Sequence, residues 1–133
     1  MEYPQDVVIV GGARTAHGKF MGKLSGISAV ELGNVAISAT MKQTGVDSSI
    51  IDEVIMGNVL SAGIGQHPAR QSALRSGIPA VIPALTINKM CGSSMKAIML
   101  AANSIRAKES SVVVAGGMES MSCSPFIVDR AED

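Results

Sequence analysis

Residues 84–94 read Ala84-Leu85-Thr86-Ile87-Asn88-Lys89-Met90-Cys91-Gly92-Ser93-Ser94, and the change of character along this stretch decides the fold. Ala84 to Asn88 has the apolar density of a short strand. From Gly92 onward Met95, Ile98, Met99, Ala102 and Ile105 recur at helical spacing and share one stripe. A strand therefore turns directly into a helix, with Cys91 at the elbow. Such an elbow exposes a side chain at the carboxyl end of the strand, as the nucleophile elbow of hydrolases does. The free N–H groups and positive dipole end of the following helix favour a thiolate over a thiol. Gly92, Ser93 and Ser94 leave room for a substrate carbonyl, and the backbone N–H groups there suit a developing oxyanion. The competing reading is a small buried hydrophobe, the usual fate of a free cysteine.

Upstream, the same alternation repeats. Val7 to Val10 is a continuous β-branched run that stops at Gly11-Gly12, as a strand buried on both faces would. Ser28 followed by Glu31 is a capping-box signature. Leu32, Val35, Ala36 and Ala39 then fall at helical spacing until Gly45. Asp47 suits the cap of a short turn before a second strand, Glu53 to Leu60. A Gly/Ser-rich turn, Ser61 to Gln66, leads to a helix with Pro68 in its first turn and Gly77 and Pro79 at its end. Downstream of the elbow helix, Ser111 to Ala115 makes a fourth strand that stops at Gly116-Gly117. The order is β-α-β-α-β-α-β, which implies an α/β fold with a mostly parallel sheet layered by helices.

Composition limits what such a fold does here. The chain has 133 residues and a mass of 13.7 kDa, enough for one domain or part of one. Hydrophobic residues make up 47% and charged residues 17%, which excludes intrinsic disorder. Eleven basic residues balance eleven acidic ones, so there is no electrostatic footprint for nucleic acid or anionic lipid. Tyr3, Phe20 and Phe126 are the only aromatics, too few for base-stacking platforms. Two cysteines, Cys91 and Cys123, make neither a disulfide framework nor a CxxC pair. No apolar run approaches the ~18 residues that span a bilayer. A strand reading that begins almost at once leaves no room for a targeting segment, so a cytoplasmic location is expected.

The stretch Asn88-Lys89-Met90-Cys91-Gly92-Ser93-Ser94-Met95-Lys96-Ala97 resembles the nucleophile motif of the thiolases. Three further blocks support the likeness in the family's order. Arg14-Thr15-Ala16-His17-Gly18-Lys19-Phe20, with Gly22 and Leu24-Ser25, resembles the family's first loop. Gly57-Asn58-Val59-Leu60 through Gly65-Gln66-His67-Pro68-Ala69-Arg70-Gln71 resembles its second strand and helix. Val113 to Ser122 resembles the segment after its fourth strand. There are departures: Ala16 stands where the family usually has proline, Ser94 where it often has glycine, and Ala107-Lys108-Glu109 lacks a glycine.

The resemblance implies a thiolase-like fold and a two-step acyl transfer between coenzyme A thioesters. The cysteine matching Cys91 takes the acyl group as a covalent thioester, its backbone N–H helping to hold an oxyanion. A second acetyl-CoA then attacks as a carbanion, or, in reverse, a 3-ketoacyl-CoA is cleaved. No metal or redox cofactor is implied. The resemblance covers the family's N-terminal part only: residues 1–117 match the half that carries the nucleophile, and residues 118–133 match the start of the loop domain. The family's activating histidine, second catalytic cysteine, oxyanion asparagine and returning fifth strand belong to a C-terminal half that these 133 residues lack. On its own this segment is expected to be inactive and prone to associate. As part of a whole thiolase it is expected in a homodimer or homotetramer, with Ala84 to Asn88 as the candidate pairing edge.

The remaining candidates have plainer readings. His67 precedes Pro68 but falls in the loop before a helix, where a polar loop role is expected; His17 lies in the glycine-flanked first loop. Cys123 is read as incidental. Lys89 and Lys96 flank the nucleophile and are read as solvated charges. Met118 and Met121 are read as packing residues, with a pocket-lining role as the alternative. Gly11-Gly12-Ala13 does not match a dinucleotide fingerprint. Two other functions stay open: a non-catalytic α/β module that packs against a partner, and a related decarboxylating condensing enzyme.

Overall fold

The structure is a computed structural model, and it describes residues 6–129. Tyr3, the other residues before Asp6 and the last four residues of the 118–133 segment lie outside the described residues.

Local signals set the first elements. Ser28 caps α1 (Ala29–Thr44): its Oγ accepts from the Glu31 N–H at 3.2 Å, and Gly45, at φ 67°, closes the helix. Asp47 caps a single 3-10 turn, Ser48–Ile50, by accepting from the Ser49 N–H at 2.9 Å. There follow β1 (Glu53–Gly57), α2 (Pro68–Arg75) with its proline in the first turn, and β2 (Ala84–Ile87). The chain continues through α3 (Ser93–Arg106), β3 (Val113–Gly117) and a 3-10 turn at Met121–Cys123.

The three strands pair in parallel in the order β2-β1-β3. Val54 is level with Ala84 on one side and with Val114 on the other. The central strand is buried on both faces, and its alternation sorts the core. Val54 and Met56 join Ile37, Ala69, Ala73 and Met118 under α1 and α2, whereas Ile55 packs with Ala97 and Ala101 of α3. No helix among the described residues is long and apolar enough to cross a membrane.

The α/β class and the parallel sheet hold, but two expectations need correction. Val7 to Val10 forms no strand: the segment is unpaired, with Val8 70%, Ile9 81% and Val10 71% exposed. Val7–Ala13 and Val112–Gly117 line the same cavity of about 470 Å³ beside the outer edge of β3. An extended segment gains ladder bonds only from a strand beside it, and none of the described strands pairs with this one.

The second correction concerns α3. Its sheet-facing side is Ser93, Ala97 and Ala101, spaced four apart, whereas Met95 is 69% exposed and Ile98 and Met99 are exposed too. Small residues let the helix approach the sheet closely, so the bulky stripe is turned away from it. The missing glycine before the last strand also leaves a trace. Lys108 occupies the left-handed region at φ 63°, a conformation that costs a side-chain-bearing residue.

Candidate active site

The site lies beyond the carboxyl ends of the strands, where parallel α/β sheets bind ligands. Segments far apart in sequence converge there: Ala13–Phe20, Val59–Leu60, Met90 with Cys91, and Gly117–Ser122 line one cavity of about 600 Å³. Each block singled out in the sequence contributes to this wall. Cys91 is a free, exposed thiol on that cavity, at the entry to α3.

The elbow is held by its own short-range bonds. Ser93 Oγ donates to the Met90 carbonyl at 2.6 Å and accepts from the Lys89 N–H at 2.8 Å. Asn88 Oδ1 accepts from the Met90 N–H at 3.0 Å. Met90 itself is left-handed, at φ 48°, the strained position expected where a strand turns sharply into a helix. Two glycines let α3 begin this close to the sheet. A Cβ on Gly57 would stand 2.6 Å from Ser93 Cβ, and one on Gly117 would fall on Ser94 Oγ.

Residues 7–132 match the description "Thiolase, N-terminal domain". The chain belongs to the thiolase family. It is 56% identical over 128 residues to an acetyl-CoA acetyltransferase of Cupriavidus necator, covering 96% of this chain and 33% of that protein. With acetyl-CoA acetyltransferase 2 of Arabidopsis thaliana it shares 55% identity over 128 residues, 96% of this chain and 32% of the relative. The crystal structure of the Acat5 thiolase from Ascaris suum, in complex with coenzyme A, superposes with a TM-score of 0.90 at 46% identity. That match covers 92% of this chain and 32% of that one. The thiolase segment thus spans about a third of the length of the relatives it matches.

Within this thiolase segment the other sequence candidates separate. His17 and Met121 line the cavity with Cys91. His67 does not: at φ 52° it caps α2, its Nδ1 accepting from the Arg70 N–H at 3.3 Å and lying 3.3 Å from Thr86 Oγ1. Met118 is buried in the core under α1 and α2, although it also reaches the cavity wall. Cys123 donates its thiol proton to the Ser25 carbonyl at 3.1 Å and does not line the cavity. Lys89 is exposed and Lys96 half-buried, and neither lines the cavity.

Sequence reading missed Glu119 and Asn58. The Glu119 carboxylate accepts from Asn58 Nδ2 at 2.9 Å, from the Val59 N–H at 2.9 Å and from the Leu60 N–H at 3.1 Å. Asn58 is buried, and its Nδ2 also donates to the Met118 carbonyl at 3.1 Å. The available signal was a charged residue placed two positions after a strand that ends in Gly-Gly.

Proposed function

We propose that this chain is the nucleophile-bearing part of a thiolase that moves acyl groups between coenzyme A thioesters, with Cys91 as the nucleophile. The observation that carries the reading is an exposed thiol, held at a strained elbow, on the cavity where every family-like block converges. The names of the relatives, acetyl-CoA acetyltransferases, favour acetyl-CoA as the acyl donor. The Cys91 thiolate attacks the thioester carbonyl, the coenzyme A thiolate departs and takes up a proton, and the acetyl group stays on Sγ. A second acetyl-CoA, having lost its α-proton, attacks that acetyl carbon and expels the cysteine thiolate, giving acetoacetyl-CoA. Thiolysis is the same path reversed. The backbone N–H of Cys91 contributes to the oxyanion pocket.

In this reading residues 1–117 are the half-domain that presents the nucleophile, and residues 118–133 begin the loop domain. The base and second acid come from chain beyond Asp133, and the complete protein is a cytoplasmic homodimer or homotetramer. The position of β2 at a sheet edge supports pairing through Ala84–Ile87.

The test is Cys91→Ser in the complete protein. Mixed with acetyl-CoA and examined by intact mass, the wild type should gain one acetyl group and the variant none, with thiolysis lost. Cys123→Ser should acetylate as the wild type does. Normal turnover by the Cys91 variant overturns the proposal. Turnover by residues 1–133 alone would overturn the requirement for the remaining chain.

A further inference from the structure

We infer that Glu119 is a positioning residue for Cys91, acting through the backbone that frames the nucleophile; this deepens the thiolase reading and rests on it. The carboxylate uses both oxygens. Oε1 takes the Asn58 amide and the Leu60 N–H, and Oε2 takes the Val59 N–H. These bonds join the segment after β3 to the segment after β1, two stretches about sixty residues apart in sequence. Val59, Leu60 and Glu119 are themselves cavity wall beside Cys91.

The connection then runs to the elbow. The Asn58 N–H donates to the Ile87 carbonyl at 3.0 Å, at the end of β2. The Val59 carbonyl receives the Asn88 amide at 3.5 Å, while the other end of that amide holds the Met90 N–H. Met90 is the left-handed residue next to Cys91, so its conformation is maintained by this neighbourhood and not by its own preference. Asn58 adds an independent sign of constraint. Its Oδ1 is buried without a hydrogen-bond partner among the described residues. Flipping the amide would set that oxygen against Glu119 and the Met118 carbonyl. Two donated bonds therefore fix the orientation at the cost of one unsatisfied acceptor.

The experiment uses the complete protein carrying Glu119→Ala or Glu119→Gln. Three readouts are compared: thermal stability, kcat and KM for acetoacetyl-CoA thiolysis, and the rate of Cys91 alkylation by iodoacetamide at neutral pH. A misplaced nucleophile costs about 100-fold in rate for a shift on the order of 1 Å. Glu119→Ala is accordingly expected to lower kcat about 100-fold while KM moves less than about twofold, and to slow alkylation. Glu119→Gln should fall between, because one amide oxygen still accepts while the NH2 group opposes a backbone N–H. It also keeps the readout if the alanine variant does not fold.

A lower melting temperature with kcat and alkylation unchanged overturns the inference, since that is what a purely structural tie would give. If the wild type itself fails to cleave acetoacetyl-CoA, the proposed function falls. Unequal alkylation rates in wild type and Glu119→Gln would still support the positioning role, and equal rates would end it.

Discussion

Two carboxylates tie β1 to β3, one at each end of the sheet. Asp52, just before β1, accepts from the Ser111 and Val112 N–H groups at 2.6 and 2.9 Å, just before β3. Glu119, just after β3, accepts from the Val59 and Leu60 N–H groups, just after β1. The chemistry is the same and the direction is reversed. The surroundings differ. Asp52 meets solvent and uses one oxygen, and its two backbone bonds hold its carboxyl below the usual range. Glu119 uses both oxygens, adds a buried asparagine, and stands in the wall of the cavity that holds Cys91. One clasp closes a sheet end; the other also shapes the backbone around a nucleophile.

The largest effect that separates the two ends is expected from Gly117→Ala. The added methyl falls on Ser94 Oγ, in the first turn of the helix that Cys91 leads into. Overpacking of this kind costs about 1–3 kcal/mol. Because α3 must shift outward to relieve it, acetylation of Cys91 should fall by more than stability alone explains. Chemical denaturation paired with intact-mass acetylation of the complete protein measures both. A variant that is destabilised yet acetylates normally would show that the elbow tolerates displacement.

Asp52→Asn should have a smaller effect, confined to stability. Asparagine keeps an acceptor but not the charge that the two N–H groups favour. The folded pKa of Asp52 lies below its unfolded value, so its contribution is fully present above the unfolded pKa and fades as the pH falls through the folded one. Thermal melts should therefore show the variant less stable at neutral pH, with the two proteins converging in acid. Alkylation of Cys91 should be unchanged. A slowed alkylation in Asp52→Asn would break the contrast between the ends.

Sequence pattern reached the parts of this molecule whose signals are local. The caps at Ser28 and Asp47, the proline start of α2 and the turn from strand to helix at Cys91 are all signalled by neighbours within four residues. It failed where the partner lies elsewhere in the chain. Val7 to Val10 has the composition of a buried strand, yet pairing needs a neighbour and no described strand pairs with it. The bulky stripe on α3 has the periodicity of a core face, but close approach to Gly57 and Gly117 favours Ala97 and Ala101 instead. The pairing of Glu119 with Asn58 was hidden for the same reason: their bond spans 61 positions.

The smallest expected effect lies one residue from Asp52. Glu53 has its carboxyl pushed up, first by burial and then by the negative charge of Glu109. Adjacent carboxylates thus respond in opposite ways, because backbone N–H groups receive one, while burial and then a like charge oppose ionisation of the other. A raised folded pKa means that ionised Glu53 works against folding at neutral pH. As the pH falls, the native protein takes up its proton before the unfolded chain does, and stability is regained. Glu53→Gln should therefore be more stable than wild type at neutral pH, by about 0.5 kcal/mol or less given the solvent screening of a side chain this accessible. The gain should shrink as the pH falls through the folded pKa of Glu53 and vanish below its unfolded value, the reverse of the Asp52→Asn deficit in sign. Urea titrations at several pH values measure it, and Glu109→Gln should reproduce part of the gain. A Glu53→Gln protein less stable than wild type at neutral pH would mean that the carboxylate has a favourable partner, and that this end of β1 carries a second clasp.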